Sequence, residues 1–77
     1  MLRSLNRYIK DNEFSINILE NLININNFLD ITILEPTKIV LEIPYGYLRI
    51  YGNDLIIKKL LDKEIVITGT IKSLEFN

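Results

Sequence analysis

The stretch GYLRIYGNDLIIK, residues 46–58, gives the clearest indication of the fold class of this 77-residue chain. It contains two runs rich in β-branched and aromatic residues, 47–51 and 55–58, and such runs are typical of β-strands. Gly52 and Asn53 separate them, and small turn-forming residues between two strand-like runs indicate a two-residue hairpin. The stretch therefore predicts two antiparallel strands joined by a tight turn.

Further short runs of the same kind lie on both sides of this stretch. Glycine and proline mark their ends, because glycine accepts positive φ and proline cannot donate to a β-ladder. The runs are 31–33, 39–43 and 65–68, and the predicted turns are Glu35-Pro36-Thr37, Pro44-Tyr45-Gly46 and Leu61-Asp62-Lys63.

The last strand-like segment, from Glu64 to Phe76, is interrupted by Gly69, where we predict a bulge or a bend within one strand. Together these patterns predict a mainly β fold, a small antiparallel β-meander or sandwich of five or six strands. A short β-solenoid is the alternative, because the strands recur at similar spacing.

The N-terminal part of the chain is patterned differently. Residues 2–11 suit a short amphipathic helix, because apolar residues recur at helical spacing with basic residues between them. From residue 14 the period changes toward two, although helix remains open for residues 15–22. We therefore expect a single domain, 1–77, with an N-terminal helical segment, 1–13, before a β-domain, 21–77.

Alternation along the predicted strands divides their side chains between two faces. One face is aliphatic and predicts the core; the other mixes apolar, aromatic and charged residues, which is a composition typical of an interface. The predicted core is Ile39, Leu41, Ile43, Leu48, Ile50, Leu55, Ile57, Ile65 and Ile67. The predicted interface is Val40, Tyr47, Arg49, Tyr51, Ile56 and Val66.

Three segments, 38–43, 46–58 and 64–71, resemble the pattern of the YabP/YqfC family of bacterial sporulation proteins. That pattern has a strand of alternating aliphatics, a Gly followed by Leu-x-Ile-x-Gly-x-x-Leu-x-Ile, and a closing strand ending in Gly-x-Ile. The likeness extends more weakly back to Asn21, and it departs from the family at Leu29-Asp30, where a glycine is expected. The positions that match the family's turn residues are Gly46, Gly52, Asn53 and Gly69.

The resemblance implies a role in endospore formation, in the mother cell of a spore-forming Firmicute. It further implies action at the membrane around the forespore, beside an integral-membrane protein partner. The family offers no catalytic residues to carry over. We therefore expect a non-enzymatic assembly or scaffold module, a homo-oligomer that binds another protein.

The composition agrees with a protein that is not an enzyme. The chain has no His, Cys or Trp, so a nucleophilic serine would lack its usual imidazole base, and zinc would lack its usual ligands. We expect no cofactor and no metal. No apolar run approaches the roughly 20 residues of a membrane helix, so we expect a cytoplasmic protein.

Two other functions stay open at this point. One is a self-polymerising β protein of the cytoskeletal or coat type. The other is a nucleic-acid-binding module, in which the tyrosines near Arg49 stack bases, although a net charge of -1 gives no basic surplus for phosphate. The tyrosines could also simply stabilise the sheet as cross-strand pairs.

The basic N-terminal helix has two interpretations as well. It either packs on the sheet or docks on an anionic membrane or a partner, so that peripheral membrane association is open. The residues predicted to dock are Leu2, Arg3, Leu5, Arg7, Tyr8 and Ile9. The asparagine-rich run 21–27 we ascribe as readily to an AT-rich genome as to physics, and we draw no functional conclusion from it.

Overall fold

The computed structural model describes residues 13–77, and this range contains six β-strands. Every paired neighbour is antiparallel, and the strands lie in one sheet in the order β1-β2-β6-β5-β4-β3. The mainly β, antiparallel prediction is confirmed, whereas a β-solenoid would stack parallel strands and is ruled out. The strands are β1 Ser15–Leu19, β2 Leu22–Asn26, β3 Asp30–Glu35, β4 Lys38–Ile43, β5 Gly46–Leu60 and β6 Glu64–Phe76.

The predicted helix at 2–11 lies outside the described residues. The helix left open for 15–22 is wrong, because β1 and β2 form a hairpin there. Ile16 and Ile18 lie opposite Ile25 and Ile23, so the apolar residues follow a period of two and share one face of the sheet.

The hairpin predicted at Gly52-Asn53 is also wrong, because β5 runs through this point without reversing. The pairing of β5 with β6 instead shifts register between Tyr51 and Gly52 and again between Asn53 and Ile56. Extra residues in one strand bend it and increase its twist. Turn-forming residues therefore bend a 15-residue strand here instead of ending it.

Two glycines make the bend possible. A Cβ on Gly52 would collide with the carbonyl oxygen of Thr70, so only glycine lets β5 approach β6 this closely. Gly69 has φ 131° and faces the bend from β6, where a Cβ would lie 2.6 Å from the oxygen of Asp54. Gly69 lies inside a continuous strand, which confirms a bend rather than a reversal. The other three predicted turns lie at strand connections as expected.

The bend divides the sheet into two halves. Half A consists of β3, β4, residues 46–51 of β5 and 73–76 of β6. Half B consists of β1, β2, residues 56–60 of β5 and 64–68 of β6.

The inner side chains of the two halves form a single buried cluster, so the sheet bends around its own core. All the predicted core residues are buried except Ile57, which is half-buried and packs against the cluster. Sequence reasoning omitted Ile23, Ile25 and Phe28, which β2 and the connection after it contribute. The backbone N–H of Asn27 also donates to the backbone carbonyl of Lys63 at 2.6 Å, where the two chain segments meet.

Candidate interaction surfaces

The bend separates the predicted interface residues into two groups. Val40, Tyr47, Arg49 and Tyr51 lie on the outer face of half A, which we call the tyrosine face. Ile56 and Val66 lie on the outer face of half B, which we call the amide face. The six residues that sequence reasoning placed on one face therefore belong to two surfaces.

The tyrosine face is built by alternation along β4 and β5. Cross-strand pairing places Lys38 opposite Tyr51, Val40 opposite Arg49, and Glu42 opposite Tyr47. Side chains two residues apart on a strand point to the same side, so these pairs form three adjacent rows. The face thus combines aromatic rings with charges of both signs.

Val40 lies at the centre of the tyrosine face and is only 4% exposed. Ile33 pairs with it from β3 and Arg49 from β5, so neighbouring side chains cover the valine on both sides. A groove of about 270 Å³ runs beside it, lined by Thr32, Ile33, Lys38, Val40, Tyr47 and Arg49. Tyr47, at its rim, is 40% exposed.

The two cationic side chains of the tyrosine face, Lys38 and Arg49, both contact neighbouring side chains. The Lys38 ammonium lies 5.7 Å from the ring centroid of Tyr51, a distance suited to a cation–π contact. Arg49 donates from Nη1 to Oδ1 of Asn77 at 2.6 Å and lies opposite Glu75. Acidic residues therefore alternate with the cations, and the face has no continuous basic track for a phosphate backbone.

The amide face is a hydrogen-bonded network centred on Asn24. Its Oδ1 accepts from Asn26 at 2.8 Å and from Asn17 at 3.3 Å. Its Nδ2 donates to Oε2 of Glu64 at 2.7 Å. Glu64 in turn lies 3.6 Å from the Lys59 ammonium. The network joins β1, β2, β6 and the end of β5.

A concave region of about 510 Å³ lies at the end of this network. Its lining is polar apart from one leucine and comes from Ser15, Asn17, Asn26, Asn27, Leu61, Asp62, Lys63 and Glu64. Sequence reasoning missed the network, because Asn24 and Glu64 are 40 residues apart. The signal that could have found it is the alternation of asparagine with isoleucine along β2.

Within residues 13–77, no cluster of three acidic, histidine or cysteine side chains is arranged to hold a metal ion. Over the same range, no helix has the length and apolar character needed to cross a membrane. The residues predicted to dock on a membrane or partner, at positions 2–9, lie outside the described part of the chain.

Comparison with family models decides the affiliation of this chain. The YabP family model matches residues 11–77, which include both halves of the sheet. The chain belongs to the YabP family. The match begins before β1, so the YabP region includes the first hairpin as well as the segments from residue 21 onward. Membership of the YabP family is consistent with a sporulation-related protein.

No match was found in a search of curated proteins or in a search of solved structures.

Proposed function

We propose that this member of the YabP family is a non-enzymatic assembly module of spore formation that binds a protein partner through the tyrosine face. It acts in the mother cell of a spore-forming Firmicute, at the forespore membrane, and its partner is an integral-membrane sporulation protein. Family membership supports the sporulation role. The half-exposed tyrosine beside the groove around Val40 is the observation that carries the binding role.

The chemistry of the tyrosine face suits a protein partner better than a nucleic acid. Tyrosine and arginine are enriched at protein interfaces, and an apolar centre with a polar rim is the usual arrangement there. Ile33, half-buried beside the covered Val40, supplies the apolar centre, while Tyr47 and Arg49 supply the rim. Glu42 and Glu75 within the same rows would repel phosphates.

The N-terminal residues supply the second contact in this proposal. The amphipathic pattern at 2–11 combines apolar residues with three cations, which suits an anionic membrane surface. A single short segment of this kind binds weakly, so peripheral association would depend on the protein partner as well. The protein is then cytoplasmic and is held at the forespore by two weak contacts acting together.

The test is the position of a fluorescent fusion in sporulating cells of the source bacterium. We expect the full-length fusion to encircle the forespore from the mother-cell side. A double substitution, Tyr47→Ser with Arg49→Ser, should disperse it, and deletion of residues 1–11 should weaken the ring. Heat-resistant spore counts measure the consequence for sporulation.

Tyr45→Ser is the matched control, because Tyr45 is fully exposed on the β4–β5 turn and lies outside the tyrosine face. This variant should keep the ring. A fusion that never localises at the forespore, or normal spores from cells lacking the gene, would contradict the proposal. Equal dispersal of the fusion by Tyr45→Ser and by the double substitution at Tyr47 and Arg49 would contradict the assignment of the tyrosine face.

A further inference from the structure

The described residues leave four strand edges without a neighbouring strand, and three of them carry features that discourage pairing. Charges at strand edges and register irregularities are the usual protections. Residues 56–60 of β5 carry two lysines and a register shift. β3 has an acidic residue at each end and a register shift, and the end of β6 carries Lys72 and Glu75.

β1 is the exception. Its sequence, Ser-Ile-Asn-Ile-Leu, has no charge and no proline, and it pairs with β2 over all five residues without a register shift. An edge strand of alternating β-branched residues that has no charge, no proline and no bulge lacks these protections and can accept another strand.

The geometry of the β1–β2 hairpin shows which backbone groups of β1 face this edge. Glu20 and Asn21 form its two-residue turn, so Leu19 and Leu22 are a hydrogen-bonded pair. Hydrogen-bonded and non-hydrogen-bonded pairs alternate along an antiparallel ladder. The N–H and C=O groups of Ile16 and Ile18 therefore point away from β2.

Ile16 and Ile18 also extend the apolar inner face of the sheet to the edge formed by β1. They lie opposite Ile25 and Ile23, which are both 0% exposed. Ile16 is half-buried against the core cluster, but Ile18 is 56% exposed because no described strand lies beyond it. A further strand here would cover an apolar side chain that already sits on the inner face.

We propose that β1 pairs antiparallel with β1 of a second copy of this chain, around a two-fold axis that passes beside Asn17. In this register Ile16 of each copy lies opposite Ile18 of the other, and their outward N–H and C=O groups form the ladder. Each isoleucine covers the other, and the two cores become continuous. No charge lies on either strand to be repelled across the axis.

The amide network selects this register. Asn17 donates to Asn24 and has a remaining acceptor and a remaining N–H. Only this register places Asn17 opposite its own copy, as a non-hydrogen-bonded pair, where facing side chains approach most closely. A shift of two residues would place it opposite Ser15 or Leu19. The network then runs unbroken from Glu64 of one copy to Glu64 of the other.

This inference uses β1 and does not rest on the proposed function, which uses the tyrosine face. The test takes advantage of a chain without cysteine. In the full-length protein, Asn17→Cys places two thiols opposite each other with Cα atoms about 4.5 Å apart, within the range that a disulfide spans. Copper phenanthroline is the oxidant, and it accepts the two electrons while two protons are released.

We expect the Asn17→Cys protein to give a disulfide-linked species of twice 9.0 kDa on a non-reducing gel at micromolar concentration. Asn21→Cys, an exposed position in the turn of the same hairpin, is the matched control and should stay unlinked. Equal cross-linking of the two variants would overturn the proposal.

Introducing a negative charge at Asn17 or at Asn21 tests the same pairing independently. Asn17→Asp should convert the dimer to a folded monomer, because it places two carboxylates opposite each other, whereas Asn21→Asp should remain dimeric. Sedimentation equilibrium gives the masses, and circular dichroism confirms that each variant is folded. A parent that is monomeric up to millimolar concentration, or one that forms open-ended polymers, would overturn the two-fold pairing.

Discussion

The tyrosine face and the amide face are the outer surfaces of the two halves of one bent sheet, yet their side chains are arranged differently. On the tyrosine face, side chains pack over Val40 until it is 4% exposed. On the amide face, Val66 is only half-buried and lies among side chains that hydrogen-bond to one another, with Asn24 at the centre. One face is covered by packed side chains, and the other carries a hydrogen-bonded network.

A mixed pattern of apolar and polar residues along a strand therefore does not by itself define an interface. Val40 and Val66 occupy equivalent outer positions in the alternation, but cross-strand neighbours decide their surroundings. Arg49 and Ile33 cover Val40 with long side chains, whereas Val66 has Asn24 and Lys59 as its partners. Substitutions on the inner face and then on the two outer faces can test this difference in surroundings.

The largest effect should come from introducing lysine on the inner face of half B, compared with the same substitution at the adjacent residue on the outer face. Ile57 lies opposite Ile67 and packs against the core, so Ile57→Lys should cost about 4 kcal/mol, which is most of the roughly 5 kcal/mol of stability expected for a domain of this size. Ile56 is 61% exposed, so Ile56→Lys should cost less than about 1 kcal/mol. Thermal melts of both variants beside the parent measure the difference. Equal losses would mean that half B is covered on both sides.

A smaller effect should separate the two outer valines. Val→Thr keeps the shape and the strand propensity but adds a hydroxyl, which is costly only where water cannot reach it. We expect Val40→Thr to cost about 1 to 2 kcal/mol and Val66→Thr less than about 0.5 kcal/mol. Urea denaturation at constant m-value gives both numbers. A larger loss at Val66 than at Val40 would reverse the comparison between the faces.

Much of the fold could be predicted from local pattern, because the inner face depends only on alternation. The connections at Pro36, Pro44 and Asp62 could also be predicted from local pattern, because turn-forming residues interrupt the apolar runs there. The bend at Gly52 could not be predicted, because Gly52 and Asn53 suit either a chain reversal or a bulge within one strand. The choice depends on β6, whose Thr70 carbonyl lies where a side chain at Gly52 would be.

The two candidate interaction surfaces could be predicted only in part. The four residues of the tyrosine face follow from alternation within residues 40–51, so the sequence placed them together correctly. Ile56 and Val66 would share that face if the chain reversed at Gly52, but the bend places them on half B instead. The amide network depends on the pairing of β2 with β6, which no local pattern specifies.

The smallest effect should come from removing the centre of the amide network. Asn24→Val removes three side-chain hydrogen bonds, each worth about 0.5 to 1 kcal/mol net at a partly exposed site. It also introduces a residue of higher strand propensity directly opposite Val66, which offsets much of that loss. We therefore expect the free energy of unfolding to change by less than about 1 kcal/mol in urea denaturation.

Asn26→Val is the matched control for this substitution, because Asn26 is on the same strand and face but contributes one donor to Asn24 and a weaker one to Ser15. Its effect should be of similar size. Near-neutral values for both would mean that the amides do not stabilise half B and are free to specify how its edge pairs. A loss of about 3 kcal/mol at Asn24 alone would show instead that hydrogen bonds hold half B together as firmly as packing holds half A.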